Sequence, residues 1–274
     1  MRVMISADME GITGVTCPAD VKPGGPRWEQ ARHDLMSDVN AAVRGFLRGG
    51  ATEICVNDAH ADKRNLRLGE LDERATAIIG THKPLGMMQG LEEADAVAFV
   101  GYHTGAGRQG VLSHTYIGRT ILAVTINGEA ASEGRMNAML AAEFGVPVVL
   151  VTGDDLTCQS AAGWAPAAAT VAVKICVDRY TARCLPPART AEMIEQAAAR
   201  AARLVSPPPR PSGPFAWRVD FDAAQAVVAS TAIPGVEEAG ERSVSFTLPT
   251  MLEAIRCFKA LSVLVAASAE PGYD

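Results

Sequence analysis

Arg2-Val3-Met4-Ile5-Ser6-Ala7-Asp8-Met9-Glu10-Gly11 places a short apolar run directly before two carboxylates spaced one residue apart. The run reads as a buried strand, and the period of two along an extended chain points Asp8 and Glu10 the same way. A helical pattern from about Trp28 to Leu47 follows and stops at Gly49-Gly50, ahead of a second apolar run over 52–56. The chain therefore opens β-α-β.

The same alternation continues. Residues 95–100 predict a third strand, and 119–126 predict another, closed by the hairpin signal Asn127-Gly128. A helix from Glu133 to Phe144, terminated by Gly145, leads into strand 147–152. Further strands over 169–177, 215–221 and 243–247 and helices over 191–204 and about 249–267 complete the reading. Alternating strands and helices predict an α/β fold, a mainly parallel sheet with helices on both faces. The proline cluster from Ser206 to Pro214 predicts a linker, dividing an α/β domain, 1–205, from a smaller α+β portion, 206–274.

At 274 residues with 48% hydrophobic content, the chain can bury a substantial core without a metal to fold it. A formal charge of -6, with no long basic stripe, argues against nucleic acid as partner. No apolar stretch reaches membrane-spanning length, and Met1-Arg2 leads straight into the first strand without the regions of a secretory signal. The six cysteines show no C-x-x-C spacing, so reduced thiols and a cytoplasmic protein are expected, with Cys55 and Cys176 as core fillers.

Open parallel sheets bind ligands beyond the carboxyl ends of their strands. Here the first strand ends in Asp8 and Glu10, the second in Asn57-Asp58-Ala59-His60, and the third in Gly101-Tyr102-His103. Each residue has a plainer use: Asp8 or Asp58 as a turn cap, His60 or His103 as a loop histidine bonded to backbone. Together, two carboxylates and two imidazoles converging on one crevice would repel or desolvate one another without a cation among them. Oxygen and nitrogen donors without sulfur suit zinc ahead of manganese, cobalt or iron, and the histidines disfavour calcium. Glu133 reads equally as a helix-dipole partner and as a further ligand. His114 is a candidate proton shuttle, with a packed or solvent-facing histidine as the alternative. His33 and His82 read as surface residues, and Asp154-Asp155 as a helix cap ahead of the alternative, a border of the cleft.

Gly105-Ala106-Gly107-Arg108-Gln109-Gly110 matches the glycine spacing of dinucleotide sites and follows a strand. The β-branched and aromatic stretch Val111 to Ile117 then replaces the helix whose amino terminus would hold pyrophosphate. These glycines read instead as a flexible rim beside the site.

The assembled motifs resemble the zinc D-aminopeptidase family of bacterial metallopeptidases. They are Asp8-Met9-Glu10-Gly11, Asn57-Asp58-Ala59-His60, Gly101-Tyr102-His103, Ser113-His114, Glu133 with Asn137, and Gly153-Asp154-Asp155, in that order. A Met251 to Ala254 segment extends the likeness towards the carboxyl terminus, and Ser132 stands where the family more usually has glycine. The resemblance implies that Asp8, Glu10, His60, His103 and Glu133 hold two zinc ions, with Asp8 between them, and that His114 is catalytic. It also implies short peptide substrates cut from a free amino terminus, a preference for D-residues as in D-Ala-D-Ala, and a ring-like homo-oligomer. Two other readings stand beside it: a two-metal hydrolase of other amides or phosphate esters, and a non-catalytic small-molecule binder on the same scaffold. Arg108 and Arg119 are the cations a phosphoesterase would draw on.

Overall fold

The computed structural model describes residues 1–269. In chain order the strands are β1 Arg2–Ala7, β2 Glu53–Asp58, β3 Ala75–Ile78, β4 Ala96–Val100, β5 Ile121–Ile126, β6 Glu129–Ala130, β7 Val148–Asp154, β8 Ala169–Asp178, β9 Thr181–Cys184, β10 Phe215–Phe221, β11 Glu237–Gly240 and β12 Ser243–Leu248. The helices are α1 Pro18–Val21, α2 Pro26–Arg48, α3 Glu133–Glu143, α4 Asp155–Ala161, α5 Pro187–Ala201, α6 Gln225–Ser230 and α7 Met251–Ala267.

Seven strands form the first sheet in the order β3-β2-β1-β4-β7-β8-β9. Every pair is parallel except the outermost, β8 with β9. All residues of β4 and β7 are buried, as a sheet covered on both faces requires. On one face α2 packs against α5. Pro26 at the first turn of α2 has no amide to leave unpaired, Arg48 complements the dipole at its far end, and Leu35, Val39, Ala42, Val43 and Phe46 form its buried stripe. The opposite face is covered by α3, α7 and the second sheet.

That second sheet is antiparallel, in the order β11-β12-β10-β5-β6. Phe215, Trp217, Val219 and Phe221 alternate inward along β10 against Ala216 and Arg218 outward, the period expected of a half-buried strand. The β5–β6 hairpin turns at Asn127 and Gly128, whose φ of 52° and 80° satisfy the left-handed backbone that this turn demands. Because β10 pairs with β5, the strands beyond the proline segment share a sheet with residues 121–130. Residues 270–274 of the expected carboxyl-terminal portion lie outside the described residues. Cys55 and Cys176 are half-buried instead of core residues, both on the outer part of the sheet; all six cysteines are free.

Strand order reverses at β1. From it the chain runs outward to β2 and β3, then returns to place β4 on the other side. The crevice beyond the ends of β1 and β4 is therefore the topological switch point, where an open sheet receives its ligand.

Candidate metal centre

The residues expected from sequence to form the site all meet at this crevice. Asp8 and Glu10 follow β1, His60 follows β2, and His103 follows β4; each is buried. Two glycines let the strand ends close up. A Cβ on Gly11 would lie 1.9 Å from the Tyr102 carbonyl oxygen, and one on Gly101, whose φ is +77°, would lie 2.2 Å from that of Asp8. Only hydrogen fits at either position, so the Gly following Asp-x-Glu and the Gly preceding Tyr-His are packing requirements. Glu133 arrives from the second sheet, at the first position of α3, where Ser132 caps the helix by accepting from the Arg135 amide at 3.2 Å.

Asp8 faces both ways. Its Oδ1 is 3.3 Å from His60 Nδ1, and its Oδ2 is 3.5 Å from His103 Nε2. Glu10 Oε2 lies 3.1 Å from His60 Nδ1 and its Oε1 3.8 Å from His114 Nε2, while Glu133 Oε1 is 3.7 Å from His103 Nε2. Potential ligand atoms of Asp8, Glu10 and His60 lie within 4.8 Å of one another, as do those of Asp8, His103 and Glu133. A third set, Glu10, His103 and His114, meets the same limit. Asp8 belongs to two of these sets with a different oxygen facing each histidine.

Backbone contacts fix the imidazoles. His103 Nδ1 donates to the Thr104 carbonyl at 2.9 Å, His114 Nδ1 to the Leu112 carbonyl at 2.9 Å, and His60 Nε2 to the Val21 carbonyl at 2.8 Å. Each ring thereby turns its other nitrogen towards the carboxylates, the orientation a metal-ligating histidine needs. The rings of His103 and His114 stack with centroids 4.4 Å apart. The Tyr116 amide donates to Glu133 Oε1 at 2.8 Å, tying the segment after His114 to the carboxylate.

Among the described residues, three buried side-chain polar atoms have no hydrogen-bond partner, and two of them are Asp8 Oδ2 and His103 Nε2. Leaving such atoms unpaired costs about 1–3 kcal/mol each. Two in one crevice, with only nitrogen and oxygen donors around them, fit a divalent cation. Burial drives the Asp8 and Glu10 carboxyls upward, but hydrogen bonds and charge from the histidines outweigh it, leaving Asp8 well below its ordinary range and Glu10 lowered. Burial likewise pulls the imidazoles down, yet the charge of Glu10 leaves His60 well above its usual value, and that of Glu133 brings His103 to about 10. Protons and a cation thus compete for the same atoms.

The remaining motif residues form a support beneath the cage. Ser6 Oγ lies 2.8 Å from Tyr102 Oη, Asn137 donates to that oxygen at 3.0 Å, and Ser6 and Asn57 each donate to the Met87 carbonyl at 2.7 Å. Asp58 caps the turn after β2, accepting from the Asn65 and Leu66 amides. Asp154 caps α4 through the Thr157 amide and also accepts from the Val111 amide at 2.7 Å, so it anchors the rim that leads to His114. Residues 105–118 form turns with no helix. His33 and His82 are exposed, as expected. Sequence reasoning missed Met87, which joins the network through its carbonyl and through a sulfur that accepts from Asn137 at 3.4 Å, and two buried lysines. Lys83 donates to Asn57 Oδ1 and the Asp58 carbonyl, and Lys174 is described below.

A cage of carboxylates and imidazoles at the switch point of a parallel sheet defines a metal-dependent hydrolase of the α/β class. The chain belongs to the D-aminopeptidase family, whose model matches residues 1–260. It is 31% identical over 272 residues to a D-aminopeptidase of Bacillus subtilis (strain 168), covering 96% of this chain and 97% of that protein. It also superposes with a TM-score of 0.92, at 30% identity and over 97% of this chain and 98% of the other, on the structure of the "Zn-dependent D-aminopeptidase DppA from Bacillus subtilis, a self-compartmentalizing protease".

Proposed function

We propose that this aminopeptidase removes the amino-terminal residue of short peptides at a site for two zinc ions, with a preference for D-amino acids such as D-Ala-D-Ala. The observation that carries this reading is Asp8, buried, presenting one oxygen to His60 and the other to His103, in two ligand sets that Glu10 and Glu133 complete. Asp8, Glu10 and His60 would hold one ion, and Asp8, His103 and Glu133 the other. Bound there, the ions supply Lewis acidity to the scissile carbonyl and a nucleophile at neutral pH. His114 moves a proton at Nε2, since its Nδ1 is committed to the Leu112 carbonyl. Arg108 and Arg119, the cations that a phosphate ester would draw on, are both exposed.

The reading extends to the whole molecule. Residues 1–205 are assigned as the catalytic part and 206–274 as the smaller portion, whose strands β10, β11 and β12 share the sheet that leads to Glu133. Six free thiols accord with the cytoplasm. Exposed Val228, Val263 and Leu264 on α6 and α7 accord with burial against further copies in a ring-like homo-oligomer. The test is metal content together with release of D-alanine and L-alanine from matched dipeptides, before and after chelation. Activity on the D-dipeptide that vanishes on chelation and returns with zinc is expected; activity untouched by exhaustive metal removal contradicts the proposal.

A further inference from the structure

β8 carries none of the proposed ligands, yet its one lysine reaches the site. Ala169–Asp178 is an apolar strand, and Lys174 within it is 0% exposed. Lysine is almost never fully buried without a partner. Its ammonium has three hydrogens and no acceptor, and all three are used. Nζ donates to the carbonyl oxygens of Glu10 at 2.6 Å, Ile12 at 2.9 Å and Val15 at 2.7 Å. No carboxylate takes any of them.

These three carbonyls belong to the segment between β1 and α1, which forms neither strand nor helix. Its backbone groups have no ladder to pair with, so each must find another partner. The segment wraps one point, and Lys174 occupies that point. From the other side Asp38 of α2 accepts from the Thr13 amide and from the Thr13 hydroxyl, both at 2.9 Å. Glu10 thus has its main chain pinned at 2.6 Å while its side chain faces His60 and His114.

We propose that Lys174 is a positioning residue for the metal centre: by gathering the carbonyls of Glu10, Ile12 and Val15 it holds the segment that aims Glu10, before any metal binds. The inference rests on the two-ion reading above. Such support, one step removed from the ligand, is commonly worth 10–100-fold in metal affinity.

The experiment compares the parent with Lys174→Met, which keeps the length of the chain and removes all three donors, and Lys174→Gln, which retains two. Zinc affinity is read by competition with a chromogenic chelator, and ligand geometry by the visible spectrum of the cobalt-loaded protein. The expected result is about 10- to 100-fold weaker zinc binding by the folded Met variant, an altered cobalt spectrum, and an intermediate Gln variant. Folded variants that bind zinc within twofold of the parent with an unchanged cobalt spectrum overturn the proposal, even when they melt at a lower temperature, because Lys174 would then serve stability alone. Should neither variant fold, the parent decides by hydrogen exchange. Amides of residues 10–15 already protected without zinc support it, and amides protected only after zinc is added overturn it. A parent that binds no zinc at all refutes the two-ion reading instead.

Discussion

Beyond the strand ends at the middle of the seven-stranded sheet, Asp8 Oδ2 and His103 Nε2 are buried, unpartnered and 3.5 Å apart; within the five-stranded sheet Trp217 Nε1 is equally unpartnered, but its neighbours are the rings of Phe246 and Phe258. The first pair consists of two potential ligand atoms in a cage of further carboxylates and imidazoles, and a single ion would satisfy both. The indole stands alone, and packing of a large ring offsets the cost of its unpaired N–H. An unpartnered buried atom therefore signals a ligand only where others converge on it. The parallel sheet gathers such atoms because all its strands except β9 end on one side. The antiparallel sheet sends alternate strand ends to opposite sides and supplies Glu133 only through the helix after its hairpin.

The contrast is broken most directly at Asp8. Asp8→Asn keeps the shape but removes the charge and one of the two ligand oxygens. Zinc content should fall for both ions together, with kcat/KM down on the order of 1,000-fold or more; loss of a single ion would show that Asp8 serves only one side. His114→Ala should lower kcat by about 100- to 10,000-fold with zinc content unchanged, as removal of a proton-transfer group does. A parallel loss of metal would make His114 a ligand.

Smaller effects sharpen the comparison. Burial raises the Asp38 carboxyl to about 6 in spite of the hydrogen bonds from Thr13. Ionised Asp38 is thus penalised in the fold, so its contribution to stability is full below the ordinary carboxylate pKa and is lost as pH rises through about 6. In metal-free protein unfolded by urea, the stability difference between parent and Asp38→Asn should change by up to about 3 kcal/mol between acid and neutral pH. A difference independent of pH would mean that Asp38 titrates normally. Trp217→Phe is expected to cost about 1 kcal/mol, lost packing being partly offset by removal of the unpaired N–H, with activity unchanged.

Much of this was legible in the sequence because the parallel sheet writes its plan locally. Each apolar run ends in the residues that stand at the crevice, so Asp8, Glu10, His60 and His103 could be placed from strand ends alone. Glu133 was ambiguous because the first turn of a helix favours an acidic residue anyway; the geometry places it in the first turn of α3 with Oε1 3.7 Å from His103 Nε2. What stayed hidden depends on distant pairing. The short edge strands β3, β9 and β11 carry little periodicity, and nothing local tells that β5 pairs with β10 across the proline segment. Lys174 was illegible for a different reason: a cation in an apolar strand reads as a solvent-facing interruption until the carbonyls that surround it are known. Lys83 lies in a loop beside exposed His82, and its burial depends on carbonyls brought from Asp58 and Ile78.

Anomalous scattering at the zinc edge, from crystals of the zinc-loaded protein, tests the central claim most directly. Two peaks flanking the Asp8 carboxylate are predicted, one beside Glu10 and His60 and the other beside His103 and Glu133. A single peak, or zinc bound away from Asp8, would contradict the account.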